Sequence, residues 1–213
     1  MPENSDSYQS WADDYDDKSR EMKWYGPEVL FGLMCGHIKS GETLLDLGIG
    51  TGLASAHFIK AGLNITGIDS SPVMLEKCRE KGRAAELVKH DLERFPWPLG
   101  DRKFNHIIST GVMHFFGELD GLFKEAARII KPGGMFGFDF YEFDSRGSEG
   151  YSPVKAGIYS KSDVEYNMPV FRHSEEYIFS KLRDAGFEIV DDVEFLVSKN
   201  NNMYFRTIVA KRI

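Results

Sequence analysis

The chain has 213 residues, 42% of them hydrophobic, with 33 acidic against 26 basic side chains and a formal charge of −7 at pH 7. That length suffices to bury a sizeable core within one domain, and an acidic balance without any basic run argues against broad contact with nucleic acid or anionic membranes, which rests on clustered Lys and Arg. Two cysteines without paired spacing, no signal-peptide pattern and no long apolar stretch predict a reduced, soluble, cytoplasmic protein.

The chain opens on Tyr8-Gln9-Ser10-Trp11-Ala12-Asp13-Asp14-Tyr15-Asp16, aromatics and acids mixed ahead of a helix predicted to begin near Pro27. Such charge density permits a partly disordered terminus. Next, Leu44-Leu45-Asp46-Leu47-Gly48-Ile49-Gly50-Thr51-Gly52 sets an acid inside a buried strand and three alternating glycines after it. Glycines at a strand-to-helix turn remove every Cβ, so a nucleotide-like ligand can lie against backbone N–H groups; they also serve tight strand–helix packing on their own. The dinucleotide fingerprint puts its third glycine three residues after the second, where this chain has Leu53, and an acid before the first glycine suits a cationic group better than a pyrophosphate.

The pattern Asp46-x-Gly48-x-Gly50-x-Gly52 resembles motif I of the class I S-adenosylmethionine-dependent methyltransferases. The resemblance implies that Asp46 and the turn of Gly48, Gly50 and Gly52 hold the amino-acid end of that cofactor. The opening segment is similar to that of small-molecule members of the ubiquinone-biosynthesis and Williams–Beuren-region type. There it would fold over the cofactor, making residues 1–26 a lid with Tyr8, Trp11 and Tyr15 on it and Arg20 as a carboxylate partner.

Further along, Leu63 to Asp69 reads as a second strand ending in an acid about 20 residues past the turn, where a carboxylate can accept from ribose hydroxyls. Asp69, Ser70 and Ser71 are also good capping residues for a helix beginning near Pro72. By the resemblance Ser70 lies at the cofactor, and Met74 packs on adenine, although a lone Met on an amphipathic helix is otherwise core filler. Ala84 to Lys89 is a third strand, and His90-Asp91-Leu92 after it resembles the next family motif, with Asp91 toward the adenine amine and Leu92 beside it. An acid at a strand end is otherwise usually solvated.

Phe104 to Ser109 reads as the fourth strand. Ligands in open α/β sheets lie beyond the carboxyl ends of strands, so Thr110 to His114 should border the methyl group. The loop lacks the Pro-Pro pattern of many nitrogen methyltransferases, and neither Cys35 nor Cys78 falls near this strand as a nucleophile would. His114 is the candidate general base, against a packing role under Phe115 and Phe116. A helix over Leu122–Ile130 ends at Lys131-Pro132-Gly133-Gly134, before a strand from Met135 to Tyr141.

Residues 142–172, rich in Gly, Ser and Tyr, read as a substrate cover in which Tyr141, Tyr151, Tyr159, Tyr166 and Phe171 line a pocket or belong to added strands. A helix after Ser174 and a terminal hairpin turning at Lys199–Asn202 complete the chain. The fold expected is one α/β domain over residues 1–213, a Rossmann-like seven-stranded, mostly parallel sheet with its last strand antiparallel and helices on both faces. The function expected is methyl transfer from S-adenosylmethionine to a small molecule, with no metal, nucleic acid or membrane partner. A protein or RNA acceptor, or a non-catalytic cofactor-binding module, stands behind it. Acceptor atom and oligomeric state are not legible.

Overall fold

The computed structural model describes residues 14–144, 148–163, 168–198 and 203–213. Trp11, Tyr8, Tyr166 and the turn at 199–202 lie outside them. The chain begins with helices α1 (Tyr15–Glu21) and α2 (Gly26–Met34) and then alternates strand and helix. The alternating elements are β1 (Thr43–Leu47), α3 (Ser55–Lys60), β2 (Asn64–Asp69), α4 (Pro72–Glu80), β3 (Glu86–Lys89) and β4 (Phe104–Ser109). A short 3₁₀ helix (Met113–Phe115), α5 (Asp120–Ile129) and β5 (Ile130–Tyr141) follow. The seven-stranded sheet is completed by β9 (Phe187–Ser198) and β10 (Met203–Arg212), in the order β3-β2-β1-β4-β5-β10-β9.

The first five of these strands pair in parallel, and β10 inserts antiparallel between β5 and β9. Such strands are covered on both faces, which is why β1 is buried at every residue after Thr43 instead of alternating. One apolar layer, with Phe123, Phe136, Phe138, Phe140 and Ile178, lies under α5 and the later helix α6 (Glu175–Asp184). The other, with Leu30, Met34, Phe58 and Leu75, lies under α2, α3 and α4. Helix α6 starts where its sequence asks it to, with Ser174 Oγ accepting from Tyr177 N–H at the amino terminus and Tyr177, Ile178 and Leu182 facing inward.

The segment after Tyr141 is not a long loop. It forms a second, antiparallel sheet of β6 (Ser152–Lys155), β7 (Ile158–Asp163) and β8 (Met168–His173), tied to the main sheet by a bridge between Glu142 and His173. The two-residue turn Ala156-Gly157 between β6 and β7, with Gly157 at φ +75°, is what its short polar strands need to fold back. Tyr159 and Phe171 are strand residues of this sheet, the plainer of the two readings their sequence allowed. No helix among the described residues is long and apolar enough to cross a membrane.

Candidate functional site

The glycine turn leaves β1 toward α3, held to β2 by Gly48 and Ile49 N–H groups that both donate to Ile68 O. Asp69, at the end of β2, clamps it further: one carboxylate oxygen accepts from Gly50 N–H at 2.8 Å and the other from Ser71 N–H at 2.8 Å. Ser71 in turn caps α4 by accepting from Met74 N–H at 3.3 Å. Asp69 and Ser71 therefore divide the work, the acid ordering the turn and the hydroxyl the helix.

The three glycines of the turn have positive φ, yet their surroundings differ. A Cβ on Gly48 would sit 2.5 Å from Val112, and one on Gly52 would sit 2.6 Å from Arg83 and 3.0 Å from Cys78 Sγ. Those two let neighbouring elements approach closely. At Gly50 the nearest atom to a Cβ is Gly48 O at 4.0 Å, so the middle glycine leaves open room over its backbone.

Asp46 is 3% exposed and accepts from Ser55 Oγ at 2.6 Å. Burial, only partly offset by that hydroxyl and reinforced by nearby Asp69, pushes its carboxyl up to about 7. Burial likewise raises Asp69 against three backbone donors. At the end of β5 stands a third acid, Asp139, wholly buried, with one oxygen accepting from Gly111 N–H at 2.8 Å and burial pushing it up to about 8. Among the described residues no Lys or Arg pairs with any of the three. Sequence reasoning missed Asp139, although its signal was present: a single acid in the apolar run Phe136-Gly137-Phe138-Asp139-Phe140.

Helix α1 is fastened to this turn by Asp16, which sequence reasoning also passed over. Its carboxylate accepts from Thr51 Oγ1 at 2.6 Å and from Arg83 Nη1 at 2.7 Å, and pairs with Lys81 Nζ at 2.9 Å. Burial acts to raise this acid, but Thr51, Lys81 and Arg83 together hold it below the usual carboxylate range. Tyr15 lies beside it, its phenol pushed up to about 12 by burial and by the neighbouring Asp139, Asp16 and Asp69 against a bond to Ser19.

Arg20 lies on the outer side of α1. Its side chain is 67% exposed and pairs with Asp17 one turn back at 2.7 Å. It borders a cavity of about 190 Å³ between α1, α2 and α3, shared with Leu53, Lys60 and Arg83, that neither Asp46 nor Asp69 lines. Leu92 turns its side chain inward. It is 5% exposed, belongs to the apolar layer under α5, and its carbonyl accepts from Trp97 Nε1 at 3.0 Å. Trp97 also donates its N–H to Glu125, so Leu92 and Trp97 are committed to packing at either end of an exposed stretch.

Asp91 keeps 44% of its side chain exposed, caps Glu93 N–H at 3.0 Å and lies 3.5 Å from Arg94. Met74 is 7% exposed, in neither of the two apolar clusters of the described residues. Ser70 follows Asp69 directly, and Thr110 precedes Gly111 in the loop after β4, both half-buried. His114 sits in the 3₁₀ helix, 3% exposed, stacked on Tyr141 at 4.4 Å and 11° and against Phe115 at 4.1 Å. Burial first, and His173 second, push its imidazole down to about 3, so it stays neutral near pH 7 with little affinity for a proton. That environment suits an aromatic wall and argues against the expected base.

Residues 45–138 match a family model described as a methyltransferase domain. The demethylmenaquinone methyltransferase of Tropheryma whipplei (strain Twist) is 32% identical over 97 residues, 46% of this chain and 41% of that protein. The malonyl-[acyl-carrier protein] O-methyltransferase of Pectobacterium atrosepticum is 34% identical over 122 residues, 57% of this chain and 47% of that protein. The chain thus spans less than half the length of these curated relatives.

Among solved structures, a SAM-dependent methyltransferase of Methanosarcina mazei superposes with a TM-score of 0.70 at 17% identity, over 85% of this chain and 97% of that one. The 1,6-didemethyltoxoflavin-N1-methyltransferase of Burkholderia thailandensis, solved with 1,6-didemethyltoxoflavin and S-adenosylhomocysteine, gives 0.69 at 17% identity, over 97% of this chain and 85% of that one. At such identities the likeness is one of fold. The matched methyltransferase domain begins on β1, spans the glycine turn and ends in β5 of a sheet that closes with an antiparallel β10, a fold like that of these solved S-adenosylmethionine-dependent methyltransferases.

Proposed function

We propose that the protein transfers a methyl group from S-adenosylmethionine to a small-molecule acceptor. The observation that carries this reading is the set of three buried carboxylates, Asp46, Asp69 and Asp139, at the carboxyl ends of β1, β2 and β5, with no cation paired to them among the described residues. A ligand bearing an ammonium and a sulfonium supplies the charge they lack. The open backbone at Gly50 gives such a ligand room to approach.

In this reading Asp46 and the glycine turn hold the amino-acid end, Asp69 the ribose, and Met74 and Asp91 the adenine. Helix α1 and the residues before it form the lid, and residues 142–172, with their three-stranded sheet, cover the acceptor. The bound cofactor supplies a methyl carbon already activated by its sulfonium, so the protein has chiefly to align the reactants and exclude water. A small acceptor agrees with the name of one relative, a demethylmenaquinone methyltransferase, and with the net charge of −7. Calorimetric titration with S-adenosylmethionine tests the reading: saturable binding is expected, and no detectable heat from well-folded protein would sink it.

A further inference from the structure

Asp139 is an unfinished site. One of its oxygens takes the Gly111 N–H, and the other has no partner among the described residues. Directly across the β5–β10 ladder stands Thr207, whose hydroxyl is equally without a partner there. Both residues are 0% exposed. A buried carboxylate oxygen and a buried hydroxyl, neighbours and both unsatisfied, form an arrangement that folded proteins rarely keep unless something else completes it.

The surroundings say what kind of group that is. The next pair along the same sheet face is Tyr141 opposite Phe205, with their rings 4.2 Å apart. Trp24 lies 4.5 Å from Phe205, and His114 stacks on Tyr141. The two oxygens thus stand beside an aromatic wall, next to the loop after β4 that should border the methyl group. The element packed over Asp139 from α1 contributes Tyr15, the loop after β4 contributes only the Gly111 N–H, and β10 contributes Thr207. No Lys, Arg or His among the described residues neutralises it.

Resting on the methyltransferase reading of this site, we propose that Asp139, with Thr207 beside it, receives the N–H or O–H group of the methyl acceptor and takes its proton. The acceptor is then an amine, amide or hydroxyl compound with a flat portion that lies on the aromatic wall. In the step, the acceptor's lone pair forms the new bond to the methyl carbon while the carbon–sulfur bond breaks and its electron pair stays on sulfur. The N–H or O–H proton passes to the free oxygen of Asp139. A cation entering nearby favours the ionised carboxylate needed for this, even though burial holds the empty site near 8. His114, held down to about 3, then serves as wall.

Binding of two cofactor analogues tests the proposal without an identified acceptor. S-adenosylhomocysteine has an uncharged sulfur, and sinefungin carries an amine where the transferable methyl stands, which aims N–H donors toward the acceptor's position. Wild-type protein should bind sinefungin at least tenfold more tightly than S-adenosylhomocysteine. In Asp139→Asn the preference should fall below twofold. Where Asp139→Asn fails to hold S-adenosylhomocysteine, Thr207→Val is read instead, and its preference should drop at least threefold. No preference in wild type, or a preference the variants leave undiminished, overturns the proposal. Wild type that binds neither compound removes the cofactor reading itself, and this proposal with it.

Discussion

Two groups of buried acids lie within one sheet edge of each other and are treated in opposite ways. Asp16 on α1 is surrounded by Thr51, Lys81 and Arg83, and its carboxyl is held low. Asp46, Asp69 and Asp139 on the strand ends meet hydroxyl and backbone donors but, among the described residues, no cation, and burial drives all three upward. The protein therefore possesses the means to neutralise a buried carboxylate and uses them on Asp16, as on Glu125 with Arg128 and Glu142 with Arg206, but among the described residues not on these three. Asp16 is complete within the chain and has a mechanical role, fastening the first helix to the glycine turn. The other three are complete only with something positive added, which separates an anchor from a binding site by charge balance rather than by position.

The contrast can be broken at either end. The largest effect should come from Asp16→Ala, which strands two partly buried cations and frees Thr51. Denaturant unfolding should show a loss of about 3 kcal/mol, the scale for breaking a buried pair, and a loss below about 1 kcal/mol, as for a surface pair, would erase the distinction. Asp69→Ala should weaken S-adenosylmethionine binding by more than about 1 kcal/mol, the scale of a lost charge-assisted hydrogen bond, read as the calorimetric dissociation constant. Unaltered affinity would remove Asp69 from the site.

The third test uses pH. Acids whose folded pKa is raised bind more protons folded than unfolded, so their contribution falls as pH climbs from the unfolded carboxylate range through about 7 for Asp46 and about 8 for Asp139. The histidines act in the opposite sense: His114 and His173, lowered to about 3 and about 4, add stability as pH rises toward 6.5 and change nothing above it. The melting temperature should therefore decline between pH 6.5 and 8.5. Saturating S-adenosylmethionine should flatten that decline, and so in part should Asp46→Asn. A flat profile in wild type would mean that these acids are not proton-bound in the empty protein. The smallest effect belongs to Arg20→Ala, which removes an exposed pair with Asp17 and should shift stability by less than about 0.5 kcal/mol. It should leave cofactor affinity unchanged, and a tenfold loss would restore Arg20 as a carboxylate partner.

How far the sequence could be read follows from how local each signal was. The end of β2 with its acid, the Ser71 cap and the Ser174 cap are written in a few adjacent residues, and the structure has them where the spacing put them. Arg20 and Leu92 were placed by position in a motif, and their side chains went elsewhere because nearer partners were available, Asp17 for one and the Trp97 layer for the other. The sequence left the aromatic residues of the segment after Tyr141 as either pocket lining or added strands, and because the strands are short and largely polar only their pairing with one another decides it.

By itself the sequence determined the alternation of strand and helix and the glycine turn, since buried parallel strands and positive φ are demands that each residue meets within its own few neighbours. Tertiary structure alone decided which acids are balanced. Asp16 meets Thr51 across 35 positions and Arg83 across 67, and Asp139 meets Gly111 across 28. The charge on a buried carboxylate depends on what stands within a few ångströms of it, and a linear sequence carries no such distance.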